Sequence, residues 1–201
     1  MADNRGTYHL SDNPDVYEPA RNNNFEFLIT GIESLLKAGV NPTPAPSDED
    51  FIKNGQEVLR VAVESSSVPH FRLGDIEVRR GNNIAHFAGL PSFNSSSLTV
   101  KDYISVNSGV ANPKDVMLAW QALAYNVRTE KISRASVYKK TCTLTEYSPD
   151  YEIVRQWTLE GCWCSEVSED AFTTENEGQR RFTATIIFDR AYPVNEKTYT
   201  E

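Results

Sequence analysis

Two-residue alternation dominates the chain, a helical period shows once, and the ends carry neither. Residues 1–24 are polar, with Pro14, Pro19 and the run Asn22-Asn23-Asn24, and read as either an unordered tail or an extended N-terminal arm. Tyr8, Leu10, Val16 and Tyr17 favour an arm that docks. Phe25 to Thr30, bounded by Asn24 and Gly31, predicts the first strand. Ile32 to Gly39 offers a short helix or turn, and the alternating prolines of 41–50 predict a stiff, extended loop. Glu57 to Ser66 predicts a second strand, with Leu59, Val61 and Val63 on one face and Arg60, Ala62 and Glu64 on the other.

The segment Ser67–Leu90 is long for a connection, has glycines at 74, 81 and 89, and carries a strand-like stretch from Leu73 to Arg80. A connection of that length in a compact domain is usually functional. Ser97–Ser105 alternates again, Leu98, Val100 and Ile104 opposing Thr99, Lys101 and Tyr103. The helical period lies in Pro113 to about Tyr125, where Asn112 is the predicted N-cap, Pro113 fits the first helical position and Asp115 suits the positive end of the dipole. Val116, Trp120, Leu123 and Val127 fall on one face. Val137–Tyr147 and Ile153–Trp163 flank Ser148-Pro149-Asp150-Tyr151, a turn with Pro at its second position, and predict a hairpin. An acidic loop over 165–179 leads to a last strand, Arg181–Arg190, with Phe182, Ala184, Ile186 and Phe188 inward. The prediction is a mainly β domain over 25–192, with an arm at 1–24, a tail at 193–201 and no internal repeat.

Composition narrows the function classes. The 201 residues (22.6 kDa) carry 20 Lys+Arg against 28 Asp+Glu, a net charge of −8. That balance argues against a protein that grips nucleic acid through phosphates. Three cysteines do not suit a disulfide framework, no signal peptide is visible, and no apolar run reaches membrane-spanning length. A soluble protein made in a reducing cytoplasm is the expectation.

Chemistry is sparse. His9, His70 and His86 have no partner at metal-ligand spacing along the chain. Cys162 and Cys164 share a strand face about 6.5–7 Å apart, poor for a disulfide; buried inert thiols are favoured over a cluster with Cys142. Phosphate loops and nucleophile elbows are absent. Asp48-Glu49-Asp50 lacks the alternating ligands of a calcium loop. The expectation is no enzyme and no cofactor.

Long strands need their edges covered or paired, and pairing with identical copies is one solution. In that setting three stretches resemble the tail tube proteins of contractile-tailed bacteriophages. They are Phe25–Ile32, ending in Gly-Ile; Phe87-Ala88-Gly89-Leu90-Pro91 through Ser97-Leu98-Thr99-Val100-Lys101, followed by the helix bearing Trp120; and Cys142–Glu146, the Trp157-x-Leu159-x-x-x-Trp163 strand and Phe182–Asp189. Together they cover about two-thirds of the chain in the family's order. Two departures are Cys164, where Pro is more usual, and a longer arm and Pro-rich insert.

The resemblance implies a two-sheet β sandwich or barrel with one flanking helix, and inner sheets of six copies joining into a hexameric ring barrel. Rings would stack into the inner tail tube of a virion assembled in the host cytoplasm. Its partners would be sheath, baseplate, tail terminator and a tape measure protein in the lumen, with DNA in transit and no membrane insertion. The loop at about 67–90 would reach the adjacent ring, with Phe71, Leu73, Ile76, Arg79 and Arg80 joined by the arm residues Tyr8, Leu10, Val16 and Tyr17. Arg60, Glu64, Thr99, Lys101, Gln156 and Glu160 are the lumen candidates. Two alternatives stand beside it. One is the inner tube of a type VI secretion or phage-derived injection system; the other is a monomeric binding module using Trp120, Trp157 and Trp163.

Overall fold

The computed structural model describes residues 23–40, 45–104, 111–169 and 178–194. In chain order they form β1 (Phe25–Ile29), β2 (Ser34–Leu36), β3 (Phe51–Lys53), α1 (Gly55–Ala62), β4 (Val63–Ser66), β5 (Phe71–Arg80), β6 (Asn83–Phe93) and β7 (Ser96–Lys101). Then follow α2 (Pro113–Ala124), β8 (Tyr125–Asn126), β9 (Lys131–Ile132), α3 (Ala135–Tyr138), β10 (Lys140–Tyr147), β11 (Ile153–Glu169), β12 (Arg181–Ile187) and β13 (Arg190–Pro193).

Seven strands form one antiparallel sheet in the order β1-β10-β11-β12-β7-β4, with β13 added to β11. Its organiser is β11, 17 residues long. Trp157–Glu160 pairs with β13, whereas Trp163–Glu169 pairs with β12. The strand changes partners at Gly161, whose φ of +69° is accessible to glycine at little cost. A Cβ there would stand 2.1 Å from an Asp189 carboxylate oxygen. Asp189 itself lies where β12 ends and β13 begins, its amide donating to the Glu160 carbonyl at 2.9 Å. A bulge between Cys164 and Glu166 adds to the bend.

Alternation then fills one core. Phe27, Ile29, Leu144 and Leu159 point inward from one half of the sheet, and Leu98, Val100, Phe182 and Ile186 from the other. Val116, Met117 and Trp120 of α2 cover them. Trp120 is fully buried, and its Nε1 donates to the Tyr138 carbonyl at 2.9 Å, which ties α3 to α2 and satisfies the indole. The three cysteines are buried and free, as the sequence suggested. Burial pushes the Cys164 thiol up to about 12 and Cys142 well above the usual thiol range, so both are inert.

Several expectations need correction. The mainly β sandwich or barrel with one helix is instead a mixed α/β arrangement of open sheets with three α-helices and one 3-10 turn, Asp48–Asp50, among the described residues. Among the described residues the sheet path ends at β1 and β4, which do not pair with each other, so no sheet of the chain closes into a barrel. The physical reason is that β2–β3, β5–β6 and β8–β9 form separate two-stranded ladders instead of bridging the edges.

The predicted strand 57–66 is α1 followed by β4. Gly55, Leu59 and Ala62 fall on one helical face and are buried, while Val61 is 73% exposed. Gly55 is required by contact as well, since a Cβ would meet the Ile32 carbonyl at 2.5 Å. Of the short helix or turn predicted over Ile32–Gly39 the turn is present, beside the strand β2, and Val137 and Tyr138, predicted to open a strand, belong to α3. Of the acidic loop predicted over 165–179, the stretch up to Glu169 is strand, because β11 continues through it, and 170–177 lie outside the described residues. Ile104 and Val127 are exposed, against expectation.

Candidate assembly surface

The segment read as a long functional connection is a hairpin. β5 and β6 pair from Phe71↔Phe93 to Arg80↔Asn83 around the two-residue turn Gly81-Asn82, with Gly81 at φ +64°. Every residue of β5 is exposed, so the ribbon projects from the body. Its root is anchored by aromatics: Phe71 packs tilted against Phe93 with ring centroids 5.7 Å apart, and Phe93 meets the buried Phe188 edge-on at 6.1 Å. Just above the root the strands close on each other at Gly74 and Gly89, where a Cβ on Gly89 would meet Gly74 backbone atoms at 3.1 Å. A bulge lies at the same level, between Leu73 and Asp75.

Beyond that point the ribbon has two faces, because directly opposed residues share a side. Ile76↔Phe87 and Val78↔Ala85 make one face apolar, and Arg80 lies over the Phe87 ring at 6.0 Å. Asp75, Glu77, His86 and Arg79 lie on the other, more polar face, together with Ala88 and Ile84. Ile76, Val78 and Phe87 are each 40–52% exposed. A contiguous apolar stripe on a projecting element is unusual for a solitary domain and marks an interaction surface.

Of the inter-ring candidates, the hairpin carries Phe71, Leu73, Ile76, Arg79 and Arg80, with Phe71 and Leu73 at its root and the other three towards its tip. Tyr8, Leu10, Val16 and Tyr17 lie outside the described residues. Sequence reading missed Val78, Ile84, Phe87 and Leu90, all exposed on the hairpin. The signal was available in the alternation Asp75-Ile76-Glu77-Val78 and in Gly81-Asn82 between two strand-like runs.

The lumen candidates fall into three places. Glu64, Thr99 and Lys101 share the polar face of β4 and β7. There the Arg181 guanidinium holds the Glu64 carboxyl below the usual carboxylate range, with one contact at 3.1 Å, and Lys101 stands 3.9 Å away. Gln156 and Glu160 lie on the first half of β11. Gln156 donates to the Thr145 hydroxyl at 3.1 Å. Arg190 and then the Tyr192 hydroxyl lower the Glu160 carboxyl, and the tyrosine donates at 2.9 Å. Arg60 sits apart on α1, paired with Glu26. Glu26 also accepts from the Tyr147 hydroxyl at 2.7 Å, which raises that phenol. Each of these three acids has an arginine partner, so at these positions charges stand in pairs of opposite sign.

Trp120, Trp157 and Trp163 do not form a stacking platform: Trp120 is in the core, Trp157 packs against it, and Trp163 meets Tyr138 edge-on at 6.1 Å. An apolar groove of about 600 Å³ lies between the C-terminal end of α2, Val127 and Trp163.

No family model and no curated protein matches this sequence. Among solved structures, the fold is similar to a chain of the anti-feeding prophage baseplate, six-fold symmetrised, with TM-score 0.57, 14% identity and coverage of 90% of this chain and 99% of that one. A chain of the anti-feeding prophage tube-terminating cap gives TM-score 0.56 at 14% identity, covering 88% and 91%. A chain of the sheath–tube complex of the extracellular contractile injection system PVC gives 0.54 at 14% identity, covering 89% and 93%. At such identity the likeness is one of fold. It extends to contractile injection particles and is not specific to bacteriophage tails, which corrects the narrower resemblance drawn from the sequence.

Proposed function

We propose that this chain is a structural, non-catalytic subunit of the tube of a contractile injection particle, built from stacked rings of identical copies. The observation that carries the reading is the fold shared, over about nine-tenths of the chain, with chains of such particles. An injection apparatus is favoured over a DNA-delivering phage tail because those particles are an anti-feeding prophage and an extracellular injection system. The six-fold symmetry of the baseplate supports six copies per ring, and the sheath–tube complex and the cap support a sheath and a terminator as partners.

Geometry gives the stacking a physical basis. Residues 71–93 project as the hairpin, and its apolar face seats on an adjacent copy. Completing the burial of Ile76, Val78 and Phe87, now about half exposed, would contribute roughly 1 kcal/mol each. The arm residues Tyr8, Leu10, Val16 and Tyr17 provide a second contact between copies. Where the polar sheet faces line a channel, the Glu64–Arg181 and Glu160–Arg190 pairs leave few cationic traps for a passing cargo.

Gel filtration with negative-stain microscopy at rising protein concentration tests the reading. Rings or tubes are expected for the wild type, and smaller species with an unchanged circular dichroism spectrum for Phe87→Asp. A wild-type chain that stays monomeric throughout refutes it.

A further inference from the structure

The more polar face of the hairpin holds a constellation that the proposed seating of the apolar face leaves uncovered. Asp75 and Glu77 are two residues apart on β5 and therefore point the same way, and Glu77 lies directly across from His86 on β6. His86 Nδ1 is 2.8 Å from a carboxylate oxygen of Asp75. One potential ligand atom from each of the three side chains can be chosen so that all lie within 4.8 Å of one another. We infer that Asp75, Glu77 and His86 form a binding site for a divalent transition-metal ion of the zinc class.

The donor set decides the class. An imidazole nitrogen with two carboxylates suits Zn²⁺ and its neighbours, whereas Mg²⁺ and Ca²⁺ prefer an all-oxygen shell. Three protein ligands leave a coordination position open to water or to a group from another molecule. The strand pairing brings the three donors to one face before any metal arrives, and side-chain rotation suffices to draw atoms 4.8 Å apart to the closer spacing of a shared ion. Arg79 shares this face, two residues beyond Glu77, and its positive charge moderates the affinity. The site faces away from the Ile76/Phe87 stripe, so it remains open when that stripe is covered. It stands whether or not the chain forms tubes.

The test is equilibrium dialysis of the full chain against Zn²⁺, with Co²⁺ absorption as a spectroscopic probe of the ligand shell. One Zn²⁺ per chain is expected, weakened about 10-fold or more by His86→Ala and by Asp75→Asn. His9→Ala and His70→Ala should leave it unchanged. All three ligands are exposed, so the variants keep the fold, which circular dichroism checks. Zn²⁺ binding that survives His86→Ala, that is lost instead in the His9 or His70 variant, or that Mg²⁺ matches at equal concentration would overturn the assignment.

Discussion

Replacing Gly161 by alanine probes the bend that divides β11 between its two sets of partners. The backbone there has φ +69°, and placing an L residue in the left-handed region costs about 1–2 kcal/mol. The new methyl would also fall 2.1 Å from Asp189 Oδ2 and 2.6 Å from its Cγ, so the carboxylate must swing away. That movement breaks its two contacts with Lys139 Nζ, at 2.8 and 2.6 Å, which also hold the Lys139 ammonium above its usual range. The sum is a destabilisation of roughly 2–4 kcal/mol. Urea unfolding followed by tryptophan fluorescence measures it, and a double-mutant cycle separates the two causes. In an Asp189→Ala background the clash with the carboxylate is gone, and Gly161→Ala should cost only the conformational part, about 1–2 kcal/mol. A loss below about 0.5 kcal/mol in the wild-type background would refute the left-handed bend. An equal loss in both backgrounds would refute the steric contribution.

The helix–strand correction over 55–66 gives opposite predictions at adjacent positions: Val61→Lys should change stability by no more than about 0.5 kcal/mol, whereas Ala62→Lys should cost about 3 kcal/mol or more, and thermal melts showing the reverse order would restore the strand. Glu64 makes a pH-dependent contribution. Its folded-state pKa is depressed, chiefly by the Arg181 hydrogen bond, so the stabilisation is present above the unfolded value of about 4.5 and is lost as pH falls through the lower folded value. Comparing urea midpoints of the wild type and Glu64→Gln between pH 7 and 3 should show the two curves converging on acidification; a constant gap would rule out that linkage.

Much of the local structure was legible because its causes are local. Pro113 with Asp115 and the spacing of Val116 and Trp120 sufficed for α2, and alternation from Phe182 to Phe188 placed four inward residues that are buried. The segment 57–66 misled because Leu59, Val61 and Val63 alternate like a strand, while the helical set Gly55, Leu59 and Ala62 contains only one large apolar residue. The hairpin was half legible: its length flagged function, but its amphipathic character needs β6 set opposite β5, and cross-strand register is not a property of either strand alone. The same holds for Asp75, Glu77 and His86, because the histidine stands nine residues beyond Glu77 and eleven beyond Asp75, outside any metal-ligand spacing rule.

By itself the sequence determined most of the strand alternation, where α2 begins, that the cysteines are buried and that the charge is acidic, since those follow from side-chain type and short-range periodicity. Only the tertiary structure decided that the sheets stay open, that β11 bends at Gly161 to serve two halves, and that an apolar stripe and a ligand cluster occupy opposite faces of one projecting ribbon. Those outcomes depend on which distant residues meet, and such meetings are set by register, by a positive φ at one glycine and by the competition among edges for partners.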